Sequence, residues 1–259
     1  MSAAPCVPWT AKDVLLVFFE ATLLAVFVVL GAFVLLAAWG GFIGWATPAL
    51  VHEAFLAVPD TYIVLVFYVS FLLALRRHIL RRYRLDVWRF FFCSRSPWRD
   101  AGAGVRAYLT FFLAIVGVTL IVSIASAFLD ALWGLGAAQK VELYYTASQL
   151  EQLDVAPIAA SSLGFILVLL LGPCFEELVF RGFLFPALRR RFSLTQAALL
   201  SSAVFALFHG YFFLFPYVFV LGVVLAFLYE RRGNLIAPVV FHTLNNGIVL
   251  VLFFLSLKR

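Results

Sequence analysis

Six side chains in the C-terminal part of this sequence combine acid, base and amide chemistry within otherwise apolar runs: Glu176, Glu177, Arg181, His209, His242 and Asn246. Glu177 and Arg181 stand four apart with the acid first, the favourable order for an intrahelical ion pair. That pairing leaves Glu176, about 100° around the same helix, without an obvious local partner. His242 and Asn246 are also four apart and so share one helix face. Burial in an apolar bundle disfavours the charged form of a carboxylate, which suits a general base working near neutral pH. Imidazoles beside it can hold a water, and an Asn amide with a His N–H can bind a developing oxyanion. These are the parts of an amide hydrolase.

The elements that must carry them are membrane helices. The chain has 259 residues, 65% hydrophobic and only 12% charged, with a mean hydropathy of +1.07. Ordinary globular domains carry about twice that share of charge. Apolar runs recur along the whole length, each approaching the ~20 residues that cross a bilayer. They run from about Val14 to Ala38, from after Pro59-Asp60 to Leu75, Val105 to Leu132, Ile158 past Glu176 to Leu188, Leu194 to Phe208, Phe212 to Tyr229 and Leu235 to Leu257. The expectation is an all-α, polytopic transmembrane bundle of about seven to eight helices, with residues 1–259 as one integral membrane domain. Such a composition excludes a secreted enzyme, a nucleic-acid-binding module and a disulfide scaffold. Cys6, Cys93 and Cys174 have no metal or redox spacing and read as free thiols. Nothing before the first run resembles a cleavable signal peptide.

The net charge of +6 comes from arginines gathered between runs, at 76–106, 189–191 and 231–232, with arginine-poor connections at 40–60 and 133–156. With seven spans these sets alternate sides, which predicts a multi-pass protein of the cell membrane with a cytoplasmic N-terminus. Lys258 and Arg259 fall on the other side.

Depth then singles out the polar residues. A charged group in mid-bilayer costs at least several kcal/mol, so each needs a reason. At about 1.5 Å per residue, Glu176 lies ~21 Å from the basic face at Arg190, His209 ~24 Å from Ser193, Asn246 ~21 Å and His242 ~15 Å from Arg232. Three helices thus place polar groups at similar depth. Other patterns carry less. His52-Glu53 is no zinc-protease motif because position 56 is Leu. There is no Gly-x-Ser-x-Gly elbow. Glu20 is expected near the interface or paired with a neighbour, and His78 solvated in the arginine loop. Gly40 and Gly44 form a GxxxG at a helix end.

In order, Glu176-Glu177-Leu178-Val179-Phe180-Arg181 reads EExxxR, Phe205 to His209 reads FxxxH, and His242 to Asn246 reads HxxxN. This trio resembles the CPBP family of intramembrane proteases, which includes the type II CAAX prenyl endopeptidases and the bacterial abortive-infection proteins. The resemblance covers residues 158–257 as a catalytic core. It implies an intramembrane endopeptidase in which Glu176 activates water with help from His209, His242 and Asn246 stabilise the oxyanion, and Glu177 and Arg181 support the site. It also implies a metal-free mechanism. Two His and two Glu can hold zinc, but no tight pairing such as HExxH is present, so no cofactor is expected. Family members cleave near the C-terminus of prenylated proteins or process peptides. The expected partners are a membrane-anchored protein or peptide substrate and the lipid bilayer, with no nucleic acid. Two other readings stay open. One is a transporter or channel coupling protons or cations through the buried Glu and His, although no inverted repeat is evident. The other is a membrane scaffold.

Overall fold

A computed structural model describes residues 7–42, 60–134, 167–209 and 214–256. These residues form helices and short connections, with no strand among them. Helix α1 spans Ala11–Phe42. Helix α2 is an α-helical run Asp60–Leu75 continued by a π-helical turn Arg76–Leu80 and a last turn Arg81–Tyr83. After a short π turn at Trp88–Phe92, α3 runs Pro97–Trp133. Helix α4 has four sections: π-helical Leu167–Leu171, α-helical Gly172–Glu177, π-helical Leu178–Leu184 and α-helical Phe185–Arg189. Helices α5, α6 and α7 span Leu194–Phe208, Phe215–Arg232 and Ile236–Ser256.

Local chemistry sets these boundaries. Ser193 and Gln196 close a reciprocal capping box at the start of α5. Asp13 accepts from Thr10 N and Oγ1 at 2.8 and 2.9 Å, fixing the first turn of α1. Gly233 takes a left-handed conformation, φ 66°, and its N–H closes α6 on Tyr229 O. In α4 each π section ends just before a proline-bearing turn, at Pro173 and Pro186. Proline lacks an N–H and crowds the preceding turn, so the ladder upstream widens to i→i+5 bonds.

The connections differ from the sequence expectation in three places. The arginine-rich stretch after Leu75 is helix through Tyr83, ended by Arg84 at φ 52°. Arginine is a good helix former, and Arg77 and His78 find a partner in Glu20 on α1. His78 is therefore packed against a carboxylate with 27% of its side chain exposed, rather than solvated. Helix α3 begins at Pro97 rather than near Val105, because Asp100 and Gly104 extend the buried face of Tyr108 and Phe111 upstream of the apolar run. A Cβ on Gly104 would lie 2.5 Å from Ala237 O, so glycine allows α3 and α7 to touch.

Helix α1 packs on α2, α3 on α7, and α4 to α7 pack together as neighbours. By length and apolarity, three helices among the described residues qualify to cross a membrane: Ala11–Ala32, Ile63–Tyr83 and Pro97–Trp133. Leu194–Phe208 and Ile236–Leu252 are shorter apolar helices. At 15 residues, α5 rises only about 22 Å, less than the ~30 Å hydrocarbon core. The described residues form an all-α membrane bundle. Its arginine-rich segments gather at one end. There Arg190 donates to Pro8 O and Trp9 O at 2.7 and 3.0 Å, Arg82 pairs with Asp13, and Arg232 with Asp100. Cys93 and Cys174 are free thiols. The start of the fourth run at Ile158, Cys6, His52-Glu53, Gly44, the 135–166 connection and Lys258-Arg259 lie outside the described residues.

Candidate active site

The broken helix α4 turns its central α section toward α5 and α7, and the polar residues meet there. Glu177 is fully buried, and its Oε1 accepts from Arg181 Nη1 at 2.9 Å and from His242 Nδ1 at 2.8 Å. The expected i,i+4 pair is present, and it extends to α7, 65 residues away. Arg181 is also buried. Its Nη2 donates to Gly222 O at 3.1 Å and its guanidinium lies 4.2 Å from the Phe205 ring centroid. A charge removed from water needs such complete pairing, and the aromatic face adds a cation–π contact.

Glu176 points to a different set. Its Oε2 lies 3.7 Å from His209 Nε2 and 3.7 Å from His242 Nε2, beyond direct hydrogen bonding. That oxygen is buried and has no hydrogen-bond partner. The other end of each ring is tied down. His209 Nδ1 lies 2.8 Å from Phe205 O. A carbonyl can only accept, so Nδ1 carries the proton and Nε2 faces Glu176 with its lone pair. His242 is held likewise by the Glu177 carboxylate. Glu176 and His209 remain partly exposed, at 24% and 26%, whereas His242 shows 3%. The site is thus open on the Glu176–His209 side and closed behind His242.

Five of the six residues singled out from the sequence therefore converge. Asn246, half-buried, sits one helical turn after His242 on α7. Phe205, the first residue of FxxxH, is the hub of the site, lying under Arg181 with its ring 4.5 Å from that of His209 and 5.8 Å from that of His242. Several other residues escaped sequence reasoning. Gly222 is required by close approach: a Cβ there would lie 2.9 Å from Ser202 Cβ and 3.3 Å from Arg181 Nη2. A glycine inside an apolar helix was the available signal for that contact. Tyr217 donates to Asn245 Oδ1 at 2.5 Å, so the first asparagine of the pair is buried and bonded to α6. Tyr68 of α2 stacks on Phe175, next to Glu176, with no sequence pattern to announce it. Among the described residues no group of three or more His, Cys, Asp or Glu side chains is arranged to hold a metal ion.

Known proteins resemble the chain over this region. Residues 158–248 match the family model described as type II CAAX prenyl endopeptidase Rce1-like. A Bacillus subtilis (strain 168) protein named "Putative membrane peptidase YdiL" is 29% identical over 141 residues, 53% of this chain and 57% of the relative. The "Membrane-embedded CAAX protease MroQ" of Staphylococcus aureus (strain USA300) is 37% identical over 90 residues, 32% of this chain and 36% of the relative. The matches thus span little more than half of one relative and about a third of the other. No solved structure matches the chain. The matched stretch contains EExxxR, FxxxH and HxxxN together, and residues 158–248 are similar to the Rce1-like, type II CAAX prenyl endopeptidase family model.

Proposed function

We propose that the chain is an intramembrane endopeptidase that hydrolyses a peptide bond of a membrane-associated protein or peptide, with Glu176 as general base. The observation that carries this reading is the buried Glu176 Oε2, without a hydrogen bond and 3.7 Å from two imidazole nitrogens. A water between Glu176 and His209 donates to both acceptors, which orients its lone pair and raises its nucleophilicity. Attack on the scissile carbonyl transfers one water proton to Glu176. The oxyanion is held by the Asn246 amide and by His242 when its Nε2 carries a proton. Glu176 then returns the proton to the leaving amine. Glu177 and Arg181 fix the tautomer and tilt of His242 and do not touch the reacting atoms.

No resident cofactor enters this scheme, and a chelator is expected to leave activity intact. The bilayer itself selects substrates, because the catalytic groups sit among apolar helices. A cut near the substrate's C-terminus and a cytoplasmic arginine-rich end complete the reading. The test compares peptide termini in membranes from cells carrying wild type or Glu176→Gln. New termini that appear only with wild type support the proposal and name the substrate. Matching profiles at equal levels of folded protein would sink it. Glu176-dependent proton or cation flux into proteoliposomes would then replace it with a transport function.

A further inference from the structure

Phe175 and Glu176 are sequence neighbours with different partners. The Phe175 ring lies against α2, where Tyr68 stacks on it with centroids 3.9 Å apart and planes 20° from parallel, and Phe71 meets it edge-on at 5.2 Å. Tyr68 and Phe71 are i,i+3 and so make one notch on a single helix face. Phe71 is fully buried and braced from α1 by Phe18 at 5.1 Å. The notch lies outside the 158–248 family segment.

Helix α4 needs such an external hold. Glu176 and Glu177 end a six-residue α section set between two π sections, and Pro173 removes one ladder bond from it. Helices made of short mixed sections fix their own rotation poorly. A rotation of about 20° moves a group at the ~6 Å outer radius of a helix by about 2 Å. A misplacement of ~1 Å in a catalytic group can cost about 100-fold in rate. We infer that Tyr68 is a positioning residue for Glu176, clamping the rotation of α4 through Phe175 so that the carboxylate meets His209 and His242. The inference rests on the peptidase reading of Glu176.

The chain has 4 histidines, so histidine-selective labelling gives a sparse NMR spectrum of the full protein in micelles. Glu176→Gln should shift the ring signals of His209 and His242. Tyr68→Leu should shift the same two signals while that of His78, on α2 itself, stays in place. Tyr68→Phe, which keeps the stack, should restore the wild-type spectrum. Cleavage at the Glu176-dependent termini should slow about tenfold or more in Tyr68→Leu and recover in Tyr68→Phe. If Tyr68→Leu does not fold, Phe175→Leu opens the same clamp from the other side and should give the same pattern. Wild-type signals and rates in Tyr68→Leu would overturn the clamp, as would a Tyr68→Phe variant as impaired as Tyr68→Leu. If Glu176→Gln itself leaves His209 and His242 unmoved, the site reading fails instead.

Discussion

Asp13 and Asp100 at the arginine-rich end and the two glutamates in the interior are treated in opposite ways. At the end, Asp13 accepts from Thr10 N and Oγ1, from Tyr83 and from Arg82. Asp100 accepts from Ser94, from Arg232 and from Asn234 Nδ2 at 2.8 Å. Both oxygens of each are used, and each joins helices distant in sequence. In the interior, Glu177 spends Oε1 on two donors, and neither its Oε2 nor Glu176 Oε2 has a hydrogen bond. An unmet acceptor is most costly where water is scarce, yet that is where these two are kept. The saturated carboxylates hold the fold; of the two unmet oxygens, that of Glu176 lies 3.7 Å from two imidazole nitrogens on a side chain 24% exposed, and in the proposed reading it does the chemistry.

The largest expected effect tests that division directly. Glu176→Gln should lower cleavage by about 10²- to 10⁴-fold, the range for a lost general base, while thermal stability in detergent stays within about 0.5 kcal/mol. A large fall in stability would place Glu176 with the structural carboxylates. Arg181→Met should do the reverse. It leaves Glu177 buried without its cationic partner, which costs about 3–5 kcal/mol of stability, and activity is lost with the fold. Asp100→Asn comes next. It keeps the shape but weakens the bonds from Arg232 and turns a donor toward it, for about 1–3 kcal/mol. Activity per folded molecule should not change. A catalytic defect in the stable fraction would blur the distinction between end and interior.

Much of this was legible because it is periodic or local. Helix α5 runs from Leu194 to Phe208 as its apolar run predicts. Spacing also predicted the Glu177–Arg181 pair and the shared face of His242 and Asn246. The start of α3 was not legible, since Arg99, Asp100 and Arg106 resemble a loop until Arg232 and Asn234 are known to pack on Asp100. The π sections of α4 depend on how two prolines are absorbed, which hydropathy does not record. The tie between Glu177 and His242 spans 65 residues. Tyr68 is one tyrosine in an apolar helix and gains meaning only when Phe175 lies beneath it. Similar depth showed which polar groups could meet, but the atoms that face each other are set by tertiary packing.

The smallest expected effect decides whether burial is the variable that separates these groups. Arg77 pairs with Glu20 at 3.2 Å, joining α2 to α1, but its side chain is 73% exposed. The bond length differs little from the 2.9 Å of Arg181 to Glu177, so geometry alone predicts similar worth. Solvent and salt screening predict otherwise: an exposed pair contributes about 0–1 kcal/mol, and its long side chain gives up rotamer freedom to form it. Arg77→Gln should therefore shift the unfolding midpoint only slightly, with His78 still holding Glu20, and should leave cleavage unchanged. The remaining shift should shrink as salt is raised, whereas the Arg181→Met defect should not. If Arg77→Gln costs as much as Asp100→Asn at every salt concentration, the location of a carboxylate ceases to predict its role, and the unsatisfied oxygen of Glu176 loses its special standing.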